Sequence, residues 1–301
     1  MKIKNTILSV LITVLASGMF FAACNENPID PGTSGAPSVP TGLMAVSKSV
    51  SVVSLKWSST SDTGVVTYKI SWKSAVDSGA TTATSTTADA TNLKAGEYVF
   101  SVVAVRNGIS SSAASIMWAG ATRYSNDAGS TGETIKIYEF SSSKGSAITL
   151  DPSKQGPKNQ STKVTNPKIG DVQFGAYISG TSDFQIGVAK MLSQFQGTSS
   201  FDSNVVASDS IYASTGLDSW FMDKDLSKLT YSKKVYTLNQ MQTGGRVFVV
   251  RTGATSGDQH YAKIYVKPDA SGNLVQGSAP ERYVELVISY QGEKNLPYAK
   301  R

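Results

Sequence analysis

Val53-Ser54-Leu55-Lys56-Trp57, Tyr68-Lys69-Ile70-Ser71-Trp72-Lys73 and Tyr98-Val99-Phe100-Ser101-Val102-Val103-Ala104 decide the fold of this chain. Apolar residues recur at every second position: Val53, Leu55 and Trp57; then Tyr68, Ile70 and Trp72; then Tyr98, Phe100, Val102 and Ala104. In a strand successive side chains point to opposite faces, so each set forms one buried face. Three such strands within some fifty residues, bounded by Ser, Thr, Gly and Asn, predict two antiparallel sheets packed face to face.

Their relative placement adds a second signal. Pro37 and Pro40 lead into a first strand, Leu55-Lys56-Trp57 and Tyr68-Lys69-Ile70 follow, and Leu93 precedes Gly96-Glu97-Tyr98-Val99-Phe100. This pattern resembles the fibronectin type III domain, over residues 37–122. The resemblance implies a tyrosine corner, with the Tyr98 hydroxyl bonded to backbone a few residues upstream. A fold of this kind names no ligand. No Arg-Gly-Asp tripeptide occurs, and the stretch Ala80–Thr91 reads as Ser/Thr-rich loops, so a spacer is the expected role.

Toward the N-terminus, Lys2 and Lys4 precede an uncharged apolar run over residues 7–23, ending in Phe21-Ala22-Ala23-Cys24. This is the layout of a secretory signal peptide over residues 1–23. The last four residues resemble a lipobox, with Phe21 in place of the usual Leu. The resemblance implies lipid attachment at Cys24, export, and anchoring to the outer membrane or cell surface through acyl chains. Cys24 is the single cysteine in 301 residues, which excludes a disulfide framework and fits a thiol used for acylation. Residues 24–36 are rich in Pro, Gly, Ser and Asn and read as a flexible tether. Loss of Lys2 and Lys4 with a cleaved leader lowers the formal charge from +6 by two, and no dense basic block remains. Nucleic acid is therefore not an expected partner.

Toward the C-terminus, residues 123–132 are polar and Gly-containing and read as a linker. Residues 133–301 carry strand candidates at Thr134–Phe140, Asp171–Ile178, Phe184–Lys190, Arg246–Thr252, His260–Lys267 and Arg282–Tyr290. Val188–Phe195 is long enough for one or two helical turns. In His260–Lys267, Ala262, Ile264 and Val266 should face a core, and Tyr261, Lys263, Tyr265 and Lys267 should face outward. The whole chain is thus expected to be all-β, a fibronectin type III sandwich followed by a second antiparallel β-rich domain.

Within that second part, Tyr138-Glu139-Phe140-Ser141-Ser142-Ser143-Lys144-Gly145, Arg246-Val247-Phe248-Val249-Val250-Arg251-Thr252 and Tyr261-Ala262-Lys263-Ile264 resemble segments of the HmuY-type haem-carrier lipoproteins. Asp171-Val172-Gln173-Phe174 matches a further strand of that family in altered form. The resemblance implies a lipid-anchored binding protein and, as an alternative reading, haem as cofactor. Haem iron needs an axial His, Met, Cys or Tyr. Met222, in Trp220-Phe221-Met222, and His260, the one histidine, are the candidate ligands. Both have plainer readings, as a core or lid methionine and as a structural histidine.

Catalytic chemistry finds little to work with. A Ser-His-Asp or Cys-His triad would depend wholly on His260. Neither Gly-x-Ser-x-Gly nor a phosphate-binding Gly-rich loop occurs, and one histidine cannot build a zinc site. Asp223 and Asp225 are spaced like part of a calcium loop, without the Gly and Glu that should follow. The expected function is non-enzymatic: a lipid-anchored envelope protein whose β-rich domain binds an unnamed ligand or surface protein.

Overall fold

The computed structural model describes residues 35–62, 66–126, 134–150, 158–160, 174–179, 183–192, 206–208, 226–244, 246–253, 257–297 and 299–300. Alternation does what it should in the N-terminal region. Strands β1 (Thr41–Ser49), β2 (Val52–Ser58), β3 (Thr67–Lys73), β4 (Ser78–Ala83), β5 (Thr87–Ala90), β6 (Glu97–Arg106), β7 (Ile109–Ser110) and β8 (Ala114–Ala119) form two sheets. One runs β1-β2-β5; the other contains β8-β6-β3-β4. Val53, Leu55 and Trp57 meet Tyr68, Ile70, Tyr98, Phe100 and Val102 between them, all buried. Trp57 and Tyr68 pack edge to face at 5.2 Å. The stretch Ala80–Thr91 forms most of β4 and β5 rather than loops, because Thr favours a half-exposed pleated edge.

The tyrosine corner is present. The Tyr98 hydroxyl accepts the Lys94 N–H at 2.9 Å and donates to Asp77 at 2.8 Å. Burial and the Asp77 hydrogen bond hold this phenol above its ordinary pKa. Strand order and corner together make this a fibronectin type III-like sandwich.

The chain then passes through Gly120 directly into β9 (Thr122–Tyr124), which pairs with a strand far downstream. Arg123 and Tyr124, read above as linker, lie in this strand. A Cβ on Gly120 would stand 2.2 Å from the Val50 carbonyl oxygen, so the crossover requires glycine.

The C-terminal region adds β10 (Ile135–Tyr138), β11 (Ala147–Thr149), β12 (Lys158–Gln160), β13 (Phe174–Ser179), β14 (Asp183–Val188), β15 (Val206–Ser208), β16 (Tyr231–Ser232) and β17 (Val235–Thr237). Helix α1 (Leu238–Gly244) follows, then β18 (Val247–Thr252), β19 (His260–Lys267), β20 (Tyr283–Gln291) and β21 (Ala299–Lys300). One sheet runs β10-β20-β19-β18-β15-β16 with β9 on β20; the other runs β12-β11-β13-β14-β17. Ile137, Phe174, Ile186, Phe248, Ile264 and Ile288 fill the core between them. The turn expected near Val188 is a short 3-10 segment, Ala189–Met191.

The outward assignment of Tyr261, Lys263 and Tyr265 is overturned. All three are buried, together with Val247, Val249 and Val287 on the same face of the sheet. The cover is the N-terminal sandwich, because these apolar residues belong to one cluster with Trp57, Tyr98 and Trp118. The Lys263 ammonium lies 4.9 Å from the Trp118 ring centre, an attraction strengthened by exclusion of water. Gln291 donates to the Gly120 carbonyl at 2.8 Å. Strand exchange fastens the same junction. Strand β9 leaves the sandwich for the second region's sheet, and β21 returns to pair with β8. Residues from Ala36 onward accordingly form one compact unit.

Candidate functional site

Of the sequence-predicted site residues, Cys24 and Met222 lie outside the described residues. His260 opens β19 opposite Thr252 and is buried. Its surroundings are a clamp. Asn295 donates its backbone N–H to the Gln259 carbonyl, accepts the Gln259 N–H at 3.2 Å, and donates its side-chain amide to the Gly257 carbonyl at 3.1 Å. Lys294 pairs with Asp258 at 2.6 Å. That hydrogen bond and charge, with a lesser pull from His260, hold the Asp258 carboxyl below the usual range. Gly253 bends back here at φ +98°, where a Cβ would strike the Asp258 carbonyl. His260 is thus part of a closed strand start. Among the described residues, no three His, Cys, Asp or Glu side chains converge as a metal site would need.

A different site emerges where β10 ends. The Tyr138 N–H donates to the Gly145 carbonyl at 2.9 Å, and the Ser142 hydroxyl accepts the Lys144 N–H at 3.1 Å, closing the turn. Glu139 points inward and is only 2% exposed. Its carboxylate takes Nε and Nη2 of Arg282 at 2.8 and 2.7 Å, and the Arg282 backbone N–H at 3.3 Å. Both guanidinium nitrogens converge on Glu139 Oε2 and the backbone N–H takes Oε1, so charge-assisted contacts engage both carboxylate oxygens. They lock the 139–146 turn to the start of β20.

On the outer side of that lock, Tyr138 and Tyr283 face each other across the strands with ring centres 5.6 Å apart. The Lys136 ammonium lies 4.4 Å from the Tyr283 ring, and the Lys144 ammonium 5.2 Å from the Tyr138 ring. Lys144 also pairs with Glu281, which raises its pKa above the ordinary lysine value. Phe140 at the tip of the turn is 40% exposed. Two rings, an exposed phenylalanine and paired cations on a rigid turn suit a contact surface, since aromatic residues are enriched in binding interfaces. Sequence reading found Tyr138-Glu139-Phe140 as a motif but missed Arg282-Tyr283. The available signal was a Tyr-Glu pair matched by an Arg-Tyr pair on another strand.

No protein-family model matches the chain, and no curated protein matches it in sequence. Solved structures similar to part of it include fibronectin type III domains. The domain of human fibronectin type III domain containing protein 3 shares 18% identity, covering 30% of this chain and 92% of its own at a TM-score of 0.26. A domain of human collagen XX shares 18%, covering 30% and 99% at 0.24. A two-domain segment of chicken tenascin shares 12%, covering 82% and 97% at 0.26. The sandwich assignment rests instead on the strand order and the Tyr98 corner.

Proposed function

We propose that this chain is a non-enzymatic, lipid-anchored envelope protein that binds a partner through the Tyr138–Phe140–Tyr283 corner of its β-rich region. Export and acylation at Cys24 are supported by the apolar leader and the lone cysteine behind it. The observation that carries binding is the half-buried Tyr138–Tyr283 ring pair with the exposed Phe140, set above the ion pair of the buried Glu139 with Arg282. Rings held rigid before contact lose little freedom on binding, which raises affinity. The sandwich is not a loose spacer in this reading, because it shares a buried face with the sheet that carries the corner. The haem alternative gains no support from the described residues, where His260 is closed into a strand start.

Two measurements test the proposal. Metabolic labelling with a palmitate analogue should mark the wild-type chain and leave Cys24→Ala unlabelled; equal labelling overturns the anchoring. A photocrosslinking amino acid placed at Phe140 in cells should give a discrete adduct that one at the exposed Val76 does not. The same ladder from both positions overturns the corner as a binding surface.

A further inference from the structure

A groove of about 470 Å³ crosses the outer face of the β1-β2-β5 sheet of the sandwich. Sites for small molecules span roughly 300–1,000 Å³. Cross-strand register sets the chemistry of this one. Val46, Ser54 and Asp89 form one row, and Met44, Lys56 and Thr87 the next. Val46 is on the outer face by alternation with the buried Ala45 and Ser47, yet it is only 8% exposed. An outward valine so covered lies at the floor of a depression, walled by Met44 and the aliphatic stems of Lys48 and Lys56.

The charges are unequal. Asp89 accepts from the Ser54 hydroxyl and pairs with the Lys48 ammonium at 3.6 Å, so its negative charge is already answered. Lys56 forms no ion pair among the described residues. The groove therefore combines an apolar floor with one cation at its wall that has no counter-charge among the described residues.

We propose that this groove binds a small organic anion, a carboxylate carried on an aliphatic body. The body lies on Val46 and Met44, and the carboxylate meets the Lys56 ammonium. The site is on the sandwich and separate from the Tyr138 corner, so it goes beyond the function proposed above and stands or falls without it.

Calorimetric titration of the unlipidated mature chain, residue 24 onward with Cys24→Ser, separates the terms. Sodium decanoate should bind saturably at one per chain, and 1-decanol, with the same body and no charge, about three- to fivefold more weakly, the weight of an ion pair at an exposed lysine. Lys56→Met keeps the stem and removes the charge at an exposed position, so it should fold as wild type and bind decanoate about as weakly as decanol. Unsaturable binding, equal affinity for the acid and the alcohol, or wild-type decanoate affinity in Lys56→Met would each overturn the proposal.

Discussion

Strands β6 and β19 look alike as sequences and differ as structures. Tyr98, Phe100, Val102 and Ala104 of β6 enter the core of the sandwich, while Val99 on the opposite face is 43% exposed. In β19, Ala262, Ile264 and Val266 enter one core, yet Tyr261, Lys263 and Tyr265 on the other face are buried too. The difference lies in what covers the sheet. One face of β6 meets solvent; both faces of β19 meet protein. Tyr and Lys suit a second buried face because each joins an apolar body to a polar tip. Alternation thus identifies the strand and one core face, but not whether the opposite face is wet.

Substitutions can break or sharpen this contrast. Trp57→Ala and Tyr261→Ala should be the most costly, about 3–5 kcal/mol each, as for other buried aromatic truncations. Urea denaturation would measure both. A Tyr261→Ala chain as stable as wild type would mean that the second face of β19 is open. Both variants should also shift a single transition, since Trp57 and Tyr261 share one apolar cluster. Tyr98→Phe should cost about 0.5–1.5 kcal/mol, because the Lys94 N–H and the Asp77 carboxylate lose the part-buried hydroxyl that both bond. Val99→Ala, on the exposed face of β6, should stay within about 0.5 kcal/mol of wild type.

The smallest effect concerns pH. The Asp258 carboxyl is held low by Lys294, so its contribution is present above the unfolded carboxylate pKa and disappears as pH falls through the folded one. Any stability difference between wild type and Asp258→Asn should therefore shrink toward zero on acidification. A difference that grows as pH falls would contradict the assigned direction.

How much of this was legible depended on the neighbour of each residue. The sandwich core was readable because Val53, Leu55, Trp57 and Tyr98 each alternate with residues that meet water or an edge. Strands β4 and β5 were hidden because Ser78–Ala83 and Thr87–Ala90 contain small and hydroxyl side chains with no strong apolar rhythm. Helix α1 was hidden by length, since seven residues give too few turns to show a period. The Tyr138–Gly145 turn was visible as a local motif. Its partner Arg282 lies 143 residues away, and only the β10–β20 register brings the two together. The junction was least legible of all. Nothing local distinguishes a Tyr-x-Lys-x-Tyr face that meets solvent from one that meets Trp118.

Thiol accessibility tests the shared face most directly. In a chain whose natural cysteine is replaced by Cys24→Ser, a single thiol is introduced by Val287→Cys on the face toward the sandwich or by Val99→Cys on the open face of β6. Under native conditions the Val99→Cys thiol should react with Ellman's reagent at the rate of a free thiol. The Val287→Cys thiol should react only as fast as the chain opens, and freely in denaturant. Equal rates for the two in the native protein would contradict a junction buried between the sandwich and the β-rich sheet.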